Sequence, residues 1–254
     1  MNPVEIYKKL PKTNCGSCRQ KMCMPFAFAL QKGEADLSDC PNLPPNERNE
    51  LALGIKTFDW REELISKLQA EMSRVLLKNV AAQLGADFKN GRLHFSCFGK
   101  SVVVGSDGSV QSERPLTPWI RMLALFYIKN HGSADISGKW VLHNELRGGL
   151  MKYKAFQREC EEPLKALFDA HLDAAEDVLP LYGAIRQAGF ATEHAWLIKV
   201  FPKMPVLFLY WPEDDEFGSK VTIRFDSSAD EYFDVEQLIF LVEELIRDIE
   251  ISVQ

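Results

Sequence analysis

The stretch Asn14–Cys23, NCGSCRQKMC, contains three of the six cysteines of this 254-residue chain, and a fourth cysteine follows in the sequence SDCP. The resulting spacing is Cys-x2-Cys-x4-Cys-x16-Cys, through Cys15, Cys18, Cys23 and Cys40. The glycine between the first two cysteines supplies backbone freedom, which lets one turn direct both thiols at a common centre. Four thiolates at this spacing predict a metal centre.

The composition indicates a soluble cytoplasmic protein. The net charge of −6 disfavours binding to nucleic acid or to anionic membranes, because both would repel a surplus of carboxylates. The N-terminal sequence MNPVEIYKKLPK carries charge early and lacks the apolar run of a signal peptide, and no later segment stays apolar long enough to cross a bilayer. Disulfides rarely persist in a reducing cytoplasm, so a cluster of cysteines is expected to bind a metal or to carry redox chemistry.

Two occupants fit a set of four cysteines. Zinc forms closed tetrahedral sites with four thiolates. Zinc ribbons usually bring two Cys-x2-Cys pairs together, whereas here Cys23 and Cys40 each stand alone. The uneven spacing favours a four-iron four-sulfur (4Fe-4S) cluster, whose corners need ligands from separate directions, with zinc as the alternative.

Two short helices are predicted to flank the cysteine loop. The sequence PVEIYKKLP, residues 3–11, predicts a helix that ends at Pro11, and KMCMPFAFALQKGEA, residues 21–35, predicts a second helix that ends near Gly33. We expect apolar side chains of the first helix to face those of the second and to keep water from one side of the cluster. The expected facing residues are Val4, Tyr7 and Leu10 with Phe26, Ala29 and Leu30.

The run EIYKKLPKTNCGSCRQKMCMPFAFALQKGEADLSDCP, residues 5–41, resembles the N-terminal iron–sulfur domain of the large subunit of the corrinoid iron–sulfur protein. The shared features are the LPKTNCG entry, the four cysteines, the alanine-rich helix and the closing Cys-Pro, and the match covers about the first 45 residues. The resemblance implies a low-potential 4Fe-4S cluster that passes single electrons to a cobalt corrinoid. The sequence RQKM departs from the Gly-Phe-Pro-Thr-like turn of that family. With Lys32, its Arg19 and Lys21 would form a basic surface that could orient an acidic redox partner, and the alternative is an ordinary solvated helix face.

The remainder of the chain departs from that family. There the iron–sulfur segment precedes a β/α barrel, but this chain shows no eightfold strand–helix alternation and is too short for such a barrel, so the cobalamin chemistry of the barrel is not transferred. We expect an iron–sulfur domain at residues 1–45, a polar, proline-bearing linker at 46–59, and an α+β domain of unknown function at 60–254.

Blocks of helices and strands predict the α+β fold, a mixed domain with antiparallel sheet and packed helices. The predicted helices are residues 60–84, capped by Asp59, then 117–132, 154–188 and 235–250, the last capped by Asp234. The predicted strands are RLHFSCFG and SVVVGSDG, which form a hairpin, and AWLIKVF, PVLFLYW and KVTIRF, which form a three-stranded meander.

A second resemblance covers about residues 60–250. The segments PLTPWIRMLALFYI, GKWVLHNELRGG, FPKMPVLFLYWPEDDEF and FDSSADEYF resemble an uncharacterised domain that occurs in anaerobes, sometimes fused behind such an iron–sulfur segment. This resemblance implies no biochemical role of its own. The iron–sulfur segment to which this domain is sometimes fused indicates one-carbon or corrinoid metabolism.

Other polar groups in the second domain have simple structural interpretations, which we prefer to functional ones. The acidic run 213–216 is expected to be a solvated loop, the turn 147–149 to need glycine for its backbone shape, and Asp226 with the serines after it to join a strand to a helix. The histidines His171 and His194 are expected at the surface or in hydrogen bonds, and Cys97 and Cys160 as buried thiols outside the metal site.

These observations predict an electron-transfer or cofactor-binding protein rather than a stand-alone enzyme. In the leading hypothesis the chain delivers single low-potential electrons to a corrinoid or a corrinoid protein, in anaerobic one-carbon metabolism. The expected cofactor is a 4Fe-4S cluster, with a corrinoid as a second candidate, and the expected partner is a redox or corrinoid protein. In the alternative, the α+β domain binds a corrinoid, another tetrapyrrole or a partner, and the cluster is structural or senses redox state. A third hypothesis is an enzyme that uses the cluster as its electron inlet.

Overall fold

The computed structural model describes residues 1–18, 20–33, 35–55 and 60–253, and the chain divides into two compact units, Met1–Leu64 and Ile65–Gln254. The helices of the described residues are α1 (Pro3–Lys9), α2 (Cys23–Lys32), α3 (Pro45–Gly54), α4 (Trp60–Met72), α5 (Leu77–Val80), α6 (Pro118–Asn130), α7 (Gly149–Phe156), α8 (Glu162–Val178) and α9 (Val235–Val253). The strands are β1 (Asp87–Lys89), β2 (Arg92–Cys97), β3 (Lys100–Val104), β4 (Val110–Ser112), β5 (Trp140–Leu142), β6 (Ala184–Arg186), β7 (His194–Phe201), β8 (Met204–Trp211) and β9 (Lys220–Asp226). Within these ranges we find no helix with the length and apolar character that a membrane crossing requires.

The first unit is a small helical module with its own apolar core. Both predicted helices are confirmed as α1 and α2, and Gly33 ends α2 with a left-handed φ of 72°. One prediction is wrong, because Val4 is 50% exposed while Ile6 is fully buried. Residues two apart on a helix point in nearly opposite directions, so the buried face of α1 carries Ile6 and Leu10 instead of Val4.

The structure differs from the expected linker over part of that segment. Residues 45–54 form helix α3, whose Leu51 is 1% exposed and belongs to the same apolar core as α1 and α2. Pro45 occupies the helix start, where its missing N–H costs nothing. Asp59, the predicted cap of the next helix, lies outside the described residues. The domain boundaries themselves stay a prediction.

The second unit begins within α4, at Ile65, and its first sheet is four-stranded and antiparallel in the order β1-β2-β3-β4. The predicted hairpin is confirmed as β2 and β3. The predicted single helix over residues 60–84 is wrong, because α4 ends at Met72 and the short α5 starts at Leu77. Leu76, four residues after Met72, is 71% exposed, and the buried positions resume at Leu77. One straight helix cannot bury the apolar residues up to Met72 and those from Leu77 onward on the same face.

A second antiparallel sheet has the order β5-β9-β8-β7-β6. The predicted meander is confirmed as β7, β8 and β9, with Leu209 of β8 opposite Ala195 of β7 and Thr222 of β9. The helical region predicted over residues 154–188 starts earlier, at α7, and ends earlier, at a short 3-10 helix before β6. One π-helical turn, Gln157–Glu161, joins α7 to α8.

Packed helices and aromatic side chains form the core of the second unit, and they confirm the α+β class. Helix α9 packs against α6, α7 and α8. The ring of Tyr127 on α6 stacks on Phe201 at a centroid distance of 4.6 Å and on Tyr232 at 5.5 Å. Asp234 caps α9 as predicted, because its Oδ1 accepts the N–H of Gln237 at 2.8 Å.

Candidate metal centre

The four predicted ligands line a single pocket in the first unit, and they reach it from different elements. Cys23 starts helix α2 and is 8% exposed, and Cys40 follows a short 3-10 turn and is 6% exposed. Cys18 is half-buried, and Cys15 is exposed on the loop. The pocket therefore has two thiols anchored in the core of the unit and two on the loop that leads into α2.

The loop reaches this shape through backbone conformations that few residues adopt. Asn14, Gly16 and Lys21 all have left-handed φ angles, of 45°, 73° and 60°. Glycine adopts such angles without strain, and asparagine tolerates them better than most residues. The side chain of Asn14 also accepts the N–H of Cys23 at 2.8 Å, which ties the start of the loop to the first turn of α2. This hydrogen bond acts as a helix cap delivered from nine residues upstream.

The thiol of Cys15 lies among hydrogen-bond donors. The side chain and backbone of Ser17, followed by the side chains of Thr13 and Asn42, lower the pKa of Cys15 to about 7. The amide of Asn42 donates to the Cys15 sulfur at 3.1 Å. Because the thiolate is the form that binds metals, these donors prepare Cys15 for coordination near neutral pH.

The pocket wall is apolar on the protein side and basic at its rim. Leu10 and Phe26 line the pocket, and both are almost completely buried. Lys21 also lines the pocket, while Arg19 lies outside the described residues. Lys32, the third residue of the predicted basic surface, lies in the last turn of α2. The apolar wall limits the access of water to the pocket, and the positive charge of Lys21 favours negative charge there.

The four thiols line the same pocket. Over residues 1–18, 20–33, 35–55 and 60–253, no three His, Cys, Asp or Glu side chains are grouped closely enough to hold one metal ion. A single tetrahedral ion needs all its sulfur ligands about 2.3 Å from one centre. A cluster spreads its ligands over several iron atoms and places them further apart.

The simpler interpretations of the second unit agree with the structure at several sites. Residues 213–216 are exposed, and Asp214 accepts backbone N–H groups of its own loop. His171 is exposed, and Nδ1 of His194 lies 3.0 Å from a carboxylate oxygen of Glu176. Gly148 has a φ of 80°, as the turn requires.

The remaining cysteines and the predicted Asp226 turn are structural. Burial raises the pKa of both Cys97 and Cys160, so neither thiol is activated as a ligand. Asp226 accepts the N–H of Ser228 at 3.0 Å and its hydroxyl at 2.7 Å, where β9 leads into a short 3-10 turn.

Sequence reasoning missed Asn14 and Asn42 as parts of the site. Both residues are adjacent or nearly adjacent to predicted ligands, at NC before Cys15 and at CPN after Cys40. The signal that could have identified them is an asparagine next to a cysteine. Asparagine tolerates a left-handed backbone, and its side-chain amide can donate a hydrogen bond to sulfur.

The comparisons with known proteins support an iron–sulfur cofactor in the first unit. Residues 10–42 match the family model described as "Putative Fe-S cluster". A segment of 48 residues, 19% of this chain, is 48% identical to the acetyl-CoA decarbonylase/synthase complex subunit gamma of Methanothermobacter thermautotrophicus, of which it covers 10%. A segment of the same length is 46% identical to the corrinoid/iron-sulfur protein large subunit of Moorella thermoacetica, of which it covers 11%. The predicted resemblance of the N-terminal segment is thereby confirmed.

A longer alignment reaches into the second unit. Over 199 residues, 71% of this chain, it shows 26% identity to the acetyl-CoA decarbonylase/synthase complex subunit gamma of Methanosarcina acetivorans, of which it covers 39%. The chain thus spans between about a tenth and two fifths of the length of these relatives. No solved structure shows a significant match to the chain.

The second unit is also matched by a family model. Residues 77–248 match the model described as "Domain of unknown function (DUF3786)". This confirms that the second resemblance is to an uncharacterised domain. Since the matched range is more than half of the chain, the protein belongs to the DUF3786 family.

Proposed function

We propose that this chain is an iron–sulfur electron-transfer protein of anaerobic one-carbon metabolism that delivers single low-potential electrons to a corrinoid or a corrinoid protein. The proposed ligands of a 4Fe-4S cluster are Cys15, Cys18, Cys23 and Cys40. The observation that carries the proposal is that these four thiols line one pocket together with the buried apolar side chains of Leu10 and Phe26. We place the protein in the cytoplasm, where free thiols persist.

The cysteine spacing and the family match support a cluster over zinc. The donor set is all sulfur, which suits both zinc and iron–sulfur centres. Cys23 and Cys40 each stand alone, unlike the paired Cys-x2-Cys pattern of zinc ribbons. Residues 10–42 also match the family model described as "Putative Fe-S cluster".

The residues around the thiols have defined tasks in this proposal. Leu10 and Phe26 exclude water, and Asn42 donates a hydrogen bond to the sulfur of Cys15. Burial, hydrogen bonds to sulfur and nearby charge together set the potential of such a centre. When bound, the cluster supplies one-electron chemistry, in which it loses one electron and the cobalt of the acceptor gains that electron.

The proposed acceptor rests on the names of the relatives. One is named a corrinoid/iron-sulfur protein large subunit and others are subunits of the acetyl-CoA decarbonylase/synthase complex. The four cysteines lie within residues 10–42, which match the iron–sulfur family model. If the second domain binds the acceptor, the acceptor is held near the cluster of the first domain, at a high effective concentration. We therefore propose that the second unit docks a corrinoid or a corrinoid protein.

The test is an anaerobic preparation of the full chain. We expect about four iron and four sulfide per chain, an electron paramagnetic resonance signal after reduction, and oxidation of the reduced protein by a Co(II) corrinoid protein that yields Co(I) in equal amount. The variant Cys23→Ala should lose most of its iron. The matched control Cys97→Ala, which removes a buried thiol of the second unit, should keep the wild-type iron content.

Three outcomes would contradict parts of this proposal. Stoichiometric zinc without iron or sulfide would overturn the cluster. Full iron content in Cys23→Ala would overturn the ligand assignment. A reduced cluster that leaves the cobalt at Co(II) would overturn the acceptor while the iron–sulfur centre remained.

A further inference from the structure

A second pocket, in the second unit, lies where strand β9 passes the helical segment α7–α8. We call it the β9-edge pocket, lined among others by Gln157, Glu161, Lys165, Lys220, Thr222 and Arg224. Its volume is about 470 Å³, within the range of about 300–1,000 Å³ that is usual for small-molecule sites. Strand β5 pairs with β9 only from Arg224 onward, so the earlier part of β9 is an edge that faces the pocket.

Among the described residues that line this pocket, Arg224 has a buried side-chain atom that lacks a hydrogen-bond partner. In the sheet it lies between Leu142 of β5 and Leu207 of β8, so its aliphatic stem is packed by apolar neighbours. Its Nε atom is buried and has no hydrogen-bond partner, and the described part of the chain offers its guanidinium no ion pair. Buried polar groups are nearly always hydrogen-bonded, so an unsatisfied donor that lines a cavity indicates a missing acceptor.

Three cations, Lys165, Lys220 and Arg224, and two carboxylates, Glu161 and Glu162, line the pocket, and neither carboxylate forms an ion pair with Arg224. Lys220 lies 5.7 Å over the ring of Trp211, and Lys165 pairs with Asp169 at 2.7 Å. The carboxylate of Glu161 faces the strand edge, because its Oε1 accepts the N–H of Ile223 at 3.2 Å. Glu161 therefore satisfies the backbone of β9 and does not neutralise Arg224.

The backbone of the facing helix is irregular at this place. The π-helical turn Gln157–Glu161 contributes both of its terminal residues to the pocket. Single π-helical turns are rare and frequently occur at functional sites, because the extra residue costs stability that packing alone does not return. The turn positions the Glu161 carboxylate against β9.

We propose that the β9-edge pocket binds a small ligand through an oxyanion group, a carboxylate or a phosphate, with Arg224 as the main donor and Lys220 as a second cation. An arginine guanidinium forms charge-assisted hydrogen bonds with either group through a planar set of donors. Thr222 adds a hydroxyl donor on the same strand. The proposal uses only the second unit and is independent of the iron–sulfur function.

The test is calorimetric titration of the full chain with inorganic phosphate and, separately, with succinate, at low ionic strength with chloride as the reference anion. We expect saturable binding of at least one of the two probes, and the probe that binds identifies the oxyanion. The variant Arg224→Gln should weaken that binding by about tenfold or more, the usual effect of losing a charged hydrogen bond. The matched control Arg92→Gln removes an exposed arginine, bonded to Gln111 in the other sheet, and should leave binding unchanged.

A second variant keeps the test decisive if Arg224→Gln fails to fold, as circular dichroism would show. Lys220 is exposed, so Lys220→Gln should fold and weaken binding several-fold. The proposal is overturned if neither probe binds more tightly than chloride, or if a folded Arg224→Gln variant binds as the wild type does. Equal loss of binding in Arg92→Gln would likewise refute it, because the effect would then come from net charge.

Discussion

At the residue scale, the cysteine loop depends on one asparagine. Asn14 has a φ of 45° and its side chain accepts the N–H of Cys23 at 2.8 Å. We predict that Asn14→Ala destabilises the first unit by about 2 kcal/mol, because it loses a helix-capping hydrogen bond and places alanine in a left-handed conformation. The measurement is the guanidinium midpoint at which the cluster absorbance is lost.

A matched variant separates these two contributions. Asn14→Gly removes the hydrogen bond but adopts the left-handed conformation freely, so it should lose only about half as much stability. An equal midpoint for the wild type and Asn14→Ala would show that the loop does not depend on this residue.

The four cysteines could be predicted from the sequence, because thiol chemistry and spacing are visible in a linear pattern. Their hydrogen-bond partners could not be predicted in the same way, since Asn42 reaches Cys15 across 27 positions of the chain. Arg224 was missed for a related reason. An arginine in an alternating strand is ordinary until the register places it between two leucines and leaves its Nε without a partner.

At the element scale, Asp226 holds the end of β9 to the segment that precedes β5. Its carboxylate accepts N–H groups of Ser137 at 3.0 Å, Gly138 at 2.7 Å and Ser228 at 3.0 Å, and the residue is 1% exposed. Burial alone would raise the pKa of Asp226, but the hydrogen bonds from Ser228 and Ser137 outweigh burial and lower it. The charged form is thus the one that the fold stabilises.

We predict that Asp226→Asn destabilises the second unit by about 2 kcal/mol at pH 7. The asparagine side chain has only one acceptor oxygen, and its NH2 group would face backbone N–H groups that the carboxylate now accepts. The folded pKa is lowered, so the stabilisation by Asp226 is fully present above about pH 5 and is lost as the pH falls below about 4. Urea unfolding of both proteins between pH 3 and 7 measures the difference. A difference that stays constant across this range would contradict the assignment of the stabilisation to the carboxylate charge.

Long elements followed from the sequence and short ones did not. Helix α9 and strands β7 to β9 each show several periods of a clear apolar pattern, and all were predicted. Strands β1, β4, β5 and β6 have three residues each, too few to show alternation, and they form only because a longer neighbour offers an edge. The helix predicted over residues 60–84 was too long for a related reason. The local spacing of apolar residues does not reveal where the buried face of the chain changes, as it does after Met72.

At the scale of the whole molecule, the two compact units differ in how much core each can form. Among the described residues of the first unit, ten form the buried core, and two of them are the proposed ligands Cys23 and Cys40. A module of this size rarely gains enough stability from apolar burial alone and commonly needs a metal or disulfides. The second unit has two sheets, several packed helices and an extensive aromatic core, which does not involve the metal centre.

We therefore predict that removal of the cluster affects the two units differently. The measurement is differential scanning calorimetry of the anaerobic holo-protein, before and after iron is removed with a chelator and a reductant. The unfolding temperature of the first unit should fall by at least about 10 °C, or its transition should disappear, because metal binding contributes folding free energy to a small module. The transition of the second unit should move by less than about 2 °C, since its core contains none of the four ligands. Reconstitution with iron and sulfide should restore the first transition. A single transition that shifts as a whole would show that the units unfold together, and no shift in either transition would show that the thiols do not stabilise the first unit through a metal.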